Sequence, residues 1–146
     1  MRRMKIARLS FAALPIVLCL LVNAQQGPDN ASCLAKAKAQ LEITRCSSTD
    51  FANADGELNR VYKTLMQKMR TDPKAAETLR SSQRAWLHYR DAQLKALHPH
   101  PEQEGSSSPA CYASQATQLT RDRIATLHQM LSPQEGDVCG YRPSAE

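Results

Sequence analysis

The sequence predicts an all-α protein: a small antiparallel three-helix bundle with disulfides and an irregular C-terminal tail. Three observations lead there. Apolar residues recur at helical spacing in three separate stretches, proline-rich and serine-rich breaks divide those stretches, and no run alternates with the period of a strand. Even cysteine parity, once an N-terminal leader is set aside, adds the disulfides.

The leader comes first in the chain. "MRRMKIARLSFAALPIVLCLLVNA" opens with Arg2, Arg3, Lys5 and Arg8 and continues in an apolar run from Phe11 to Val22. It closes on Val22-Asn23-Ala24, small at the positions that signal-peptidase cleavage after Ala24 needs. The run is too short to span a bilayer, which takes roughly 20 apolar residues. Residues 1–24 are therefore read as a cleaved export signal and 25–146 as one domain, with a core at about 33–131 and a tail at 132–146. Lipidation at Cys19 would want a small preceding residue, and Leu18 stands there.

Cleavage changes the charge balance. Four of the 19 Lys and Arg leave with the signal and no acid does, so 15 face 14 and the net charge falls from +5 to +1. A nucleic-acid partner would require a clustered basic excess, and none is left. The remaining 122 residues make one domain with a modest core. An exported, periplasmic or secreted, monomeric protein without a membrane anchor in its mature form is expected.

The helices follow in order. The "AKAKAQ" run, Ala35 to Gln40, is read as a solvated helical lead-in. From about Gln40 to Arg70, the residues Phe51, Ala54, Leu58, Val61, Leu65 and Met69 mark one long amphipathic helix. In "TDPKAAETLR", Asp72 can cap and Pro73 suits a first helical position, which starts a second helix running to about Leu97. Its inward residues are Leu79, Trp86, Leu94 and Leu97. "HPHPEQEGSSSP" is a surface loop, and Ser108-Pro109 opens a third helix with Ala116, Leu119, Ile124, Leu127 and Leu131 on its inner face.

Four cysteines remain, Cys33, Cys46, Cys111 and Cys139, which allow three pairings. No C-x-x-C spacing supports zinc or thioredoxin-type chemistry. In a continuous helix Cys33 and Cys46 would lie about 20 Å apart, beyond disulfide reach. A bridge between them therefore requires a bend within Ala35 to Gln40. Cys111 and Cys139 then pair by elimination, with the tail running back along the third helix.

A short turn makes the first two long helices antiparallel neighbours. Position i then faces roughly position 143 minus i, which sets Asp55 near Trp86 and Arg90, and Asn59 near Gln83. The expected pairs are Asp55 with Arg90 and Asn59 with Gln83, beside Trp86, with Arg123 joining from the third helix. A catalytic carboxylate with an arginine clamp is the competing reading. A hydrolase would want a second carboxylate or base in reach, and Glu57 points away from Asp55 on its helix. The cluster is therefore taken as structural, fixing register at little net gain in stability. No catalytic residue, metal or cofactor is expected. His98 and His100 could join His88 or His128 at a metal, but prolines in an acidic loop favour a solvated turn.

The same residues carry a resemblance. "DGELNRVY" fits Asp-x-x-Leu-Asn-x-x-Tyr, and "LRSSQRAWLHYRDA" fits Leu-Arg-x-x-Gln-x-x-Trp-x-x-Tyr-Arg-Asp. With Cys33, Cys46 and Thr120-x-x-Arg123, the chain resembles the LprI-type lysozyme-inhibitor N-terminal domain family from about Cys33 to Leu127. The resemblance implies a small, exported, helical, disulfide-bearing protein with no catalytic residues. It places Asp55, Leu58, Asn59, Gln83, Trp86, Arg90 and Arg123 at signature positions. The chain departs from the pattern at Leu94, near which members usually have a cysteine.

The functional expectation is a binding protein with a protein partner, and the resemblance names lysozyme or a related cell-wall hydrolase. A periplasmic structural or accessory module is the alternative, and a cell-wall enzyme is the third reading. The candidate partner-binding loop runs from His98 to Ser108, with His98, His100, Glu102 and Glu104, because polar loops on rigid scaffolds are common recognition sites.

Overall fold

The structure, a computed structural model, describes residues 30–132 and residue 136. The segment read as an export signal, most of the tail and Cys139 lie outside the described residues. Four α-helices form: α1 (Asn30–Lys36), α2 (Gln40–Lys68), α3 (Pro73–Leu97) and α4 (Ser108–Leu131). A short 3-10 turn at Pro101–Gln103 interrupts the α3–α4 loop. No helix among the described residues is long and apolar enough to cross a membrane.

The bend before Gln40 is present and the disulfide closes over it. α1 ends at Lys36, Ala39 is extended, and α2 starts at Gln40. The backbone N–H of Lys38 donates to Glu42 Oε2 at 2.6 Å, so a side chain of the first turn of α2 reaches back to hold the break. Cys33 and Cys46 are bridged, with Cα atoms 5.8 Å apart. α1 buries no residue of its own, and the Ala35–Gln40 run expected as a helical lead-in is instead the last turn of α1 followed by a non-helical break at 37–39. Cys111 is exposed and has no disulfide partner among the described residues, and its expected pairing with Cys139 lies outside them.

The other boundaries have local causes. Asp72 Oδ1 accepts from the N–H of Ala75 at 2.9 Å, and Pro73 follows the cap, where its missing donor costs nothing. α3 stops before His98-Pro99, because a proline disfavours helical backbone in the residue before it. At α4 the N-cap is Ser107 and makes no side-chain capping bond. Ser108, where the helix opens, turns its hydroxyl to Glu104.

Direction can be read from the cross-helix pairs. Asp50–Arg121 and Glu57–His128 share one offset of 71 residues, so α2 and α4 run parallel. On α3 and α4, Gln83 meets Arg123 and His98 meets Gln115, so residue numbers run in opposite senses. The bundle is therefore up, down, up.

The tightest helix pair is α2–α4, not the sequence-adjacent α2–α3. Small residues explain this. α4 buries Ala110, Ala113, Ala116, Thr117 and Thr120, and α2 buries Cys46, Ser47 and Ala54, so little side-chain bulk separates the two backbones. Toward the α2–α3 turn larger residues take over: Leu58, Val61, Leu65, Met69, Leu79, Ile124 and Leu127 form the main apolar cluster. The inward set expected from periodicity is mostly buried, with one correction. Leu97 is 47% exposed, because α3 ends there and no later turn covers it.

The seam leaves no room for bulk. Ala54→Leu should destabilise by about 1–3 kcal/mol through overpacking, whereas Ala52→Leu on the exposed face should leave the urea midpoint almost unchanged. Similar midpoints for the two variants would show that α2 and α4 are not closely apposed.

Candidate functional site

The half-buried indole of Trp86 lies at the centre of a polar layer joining the three long helices. The guanidinium of Arg90 lies 5.3 Å from the Trp86 ring and 5.6 Å from that of Phe51 on α2. Its Nη1 donates to Asp55 Oδ1 at 3.2 Å and its Nε to Asp91 Oδ1, also at 3.2 Å. From α4, Arg123 places its guanidinium 5.9 Å from the Trp86 ring. Arg123 Nε donates to Gln83 Oε1 at 3.1 Å and Nη2 to Ser82 Oγ at 3.0 Å. Burial holds the Arg123 pKa below its usual value. The two cations are satisfied by hydrogen bonds and by the negative ring faces of the aromatic residues, as desolvated arginines must be.

One expected pair forms and the other does not. Asp55 meets Arg90, but Asn59 Nδ2 donates to Asp55 Oδ2 at 3.3 Å, one turn back on its own helix. Gln83 is taken by Arg123. Close α2–α4 packing moves α3 away from α2, so at the level of Asp55 and Asn59 a long side chain such as arginine crosses the gap and an amide does not. A second ion pair went unread in the sequence: Arg121 Nη2 donates to Asp50 Oδ1 at 2.6 Å, with Asp50 buried on the inner stripe of α2. The signal was a carboxylate spaced i+4 from Cys46 and i−4 from Ala54.

The loop residues divide into two groups. His98 Nδ1 lies 2.5 Å from Glu104 Oε2, and His98 Nε2 lies 2.8 Å from Gln115 Oε1. Ser108 Oγ donates to the same Glu104 oxygen at 2.8 Å, and the Tyr112 ring is 5.6 Å from the His98 ring. The three hydrogen bonds form a bracket that closes the loop on itself, with the Tyr112 ring outside it. His100 and Glu102, 3.8 Å apart, remain outside with both side chains 67% exposed. The hydrogen bond to Glu104 raises the His98 pKa, and the same bond lowers that of Glu104.

Two other features bear on chemistry. Among the described residues, no group of three or more His, Cys, Asp or Glu is placed to hold a metal ion. An open groove of about 400 Å³ lies by the α2–α3 turn, lined by Met69, Ala75, Leu79 and Met130 with Lys74 and Asp72. Asp72 is the helix cap there, and no member of the Trp86 layer but Ser82 reaches the groove.

Two outcomes test these assignments. Asp55→Ala should cost about 1–3 kcal/mol by stripping Arg90 of its partner on α2, toward the lower end because Asp55 is 42% exposed. Glu57→Ala should cost almost nothing, and equal urea midpoints would refute the internal pair. For the loop, the His98 pKa is raised, so its contribution is whole below 6.5 and fades as pH rises through the folded value. The Glu104 pKa is lowered, so its contribution is whole above 4.5 and fades as pH falls through the folded value. Amide protection of residues 99–107 should therefore peak between about 4.5 and 6.5 and flatten in His98→Gln; a wild-type profile without that maximum would remove the bracket.

Comparison with known proteins supplies the family. An uncharacterised protein of Rhizobium meliloti (strain 1021) is 30% identical over 139 residues, covering 88% of this chain and 99% of that one. No solved structure matches. The family model described as "Lysozyme inhibitor LprI" matches residues 33–127, a span that opens at the bridged Cys33 and closes at the buried Leu127. The chain therefore belongs to the LprI lysozyme inhibitor family.

Proposed function

We propose that this protein is an exported binding protein that inhibits a lysozyme-type cell-wall hydrolase and catalyses no reaction itself. Membership of the LprI family carries this reading. The use of the signature residues supports it. Asp55, Gln83, Trp86, Arg90 and Arg123 are taken up in tying three helices together, and a guanidinium held between two aromatic rings and a carboxylate is poorly placed to react. Recognition then falls to surfaces outside that layer, such as the loop between α3 and α4.

Export is supported by the N-terminal pattern of Arg2, Arg3, Lys5 and Arg8 before an apolar run, and by the Cys33–Cys46 bridge, which suits an oxidising compartment. The near-neutral mature charge gives little long-range steering toward a cationic enzyme, so specificity would rest on a local surface.

The test is a cell-wall clearing assay with lysozymes of several structural types. A saturable, dose-dependent slowing by the purified mature protein is expected. Failure to slow any of them at high micromolar concentration would overturn the inhibitor reading in favour of a structural or accessory module with another partner.

A further inference from the structure

We propose that the enzyme-facing surface is centred on Leu97, Tyr112 and Glu102: two apolar anchors and one charged contact. His98, Glu104 and Gln115 hold it in shape without touching the partner. This rests on the reading of the protein as an inhibitor of a lysozyme-type hydrolase.

Three observations converge on this end of the molecule. Tyr112 and Leu97 are among the few large apolar side chains left exposed, at 42% and 47%. Scattered exposed apolar residues are ordinary, but these two border the same histidine. Leu97 precedes His98 in the chain, and the Tyr112 ring lies 5.6 Å from the His98 ring. A tyrosine on a helix, its ring packed against a fixed neighbour, loses little freedom on binding, which suits it as an anchor.

Charge is the second observation. No Lys or Arg occurs from Ala96 to Thr120, while that stretch contains Glu102 and Glu104. Glu104 is spent on His98 and Ser108, so Glu102 presents its charge outward. A protein close to neutral overall thus carries a 25-residue stretch, Ala96 to Thr120, with two carboxylates and no Lys or Arg of its own, which suits the cationic face of a lysozyme.

Pre-organisation is the third. The loop carrying Glu102 is pinned at both ends of the bracket, His98 to Glu104 and His98 to Gln115, and Pro101–Gln103 is coiled into a 3-10 turn. A partner meeting this loop need not order it, which lowers the entropic cost of association.

The experiment compares inhibition constants, salt dependence, thermal midpoints and amide exchange for the wild-type protein and four variants. The double variant Leu97→Ser/Tyr112→Ala should raise the inhibition constant at least tenfold at an unchanged midpoint. Glu102→Lys should slow association and flatten its salt dependence. Tyr89→Ala removes a side chain just as exposed, two turns away on α3, and should change nothing. His98→Gln should weaken inhibition only together with faster exchange at residues 99–107, whereas Leu97→Ser/Tyr112→Ala should leave exchange as it was. If the wild type inhibits and the double variant inhibits equally well, this surface is wrong and the inhibitor reading stands. A wild type that inhibits no lysozyme removes both.

Discussion

The register of α3 against α2 depends on one guanidinium. α2 and α4 pack together through small side chains and would form a seam without help, but α3 stands off from α2, where backbones cannot approach. Arg90 spans that gap. It reaches from α3 to Asp55 and Phe51 on α2 while stacking on Trp86 of its own helix, and Arg123 completes the layer from α4. Buried cations are costly to desolvate, and a layer of this kind yields little net stability. Its value is directional: hydrogen bonds and ring faces accept one register of three helices, whereas Leu58 or Leu65 would tolerate several.

That division of labour accounts for how much could be read from the sequence. Helix extents were legible because their causes are local: the Asp72-Pro73 start, the His98-Pro99 stop and the apolar period of α2. The bend before Gln40 was legible for a different reason, since a bridge between Cys33 and Cys46 is impossible across a continuous helix. The Asp55–Arg90 pair came from turn length and register alone. The Asn59–Gln83 pair failed because register gives level but not distance, and the side chains of Asn and Gln are too short for the gap that α4 opens between α2 and α3.

The remaining misses are tertiary. Nothing in "TDFANAD" states that Asp50 will be covered by α4 and matched by Arg121 from 71 residues away. The loop shows the same limit. Four polar residues in a proline-rich stretch look alike in sequence, yet His98 and Glu104 turn inward to each other and His100 and Glu102 do not. What separates them is Gln115, which gives His98 a second hydrogen-bond partner on α4.

Because α2 and α4 run parallel, the starts of both helices lie at one end of the bundle. The Cys33–Cys46 staple therefore sits at the same end as the His98 bracket, although the two are far apart in sequence. Covalent reinforcement and the loop connection share a pole, and the opposite pole is closed by the short Met69–Asp72 turn. Local opening free energies should follow that asymmetry. The bridge thus ties down the pole from which the α3–α4 loop projects, while the Met69–Asp72 pole relies on packing and the Asp72 cap.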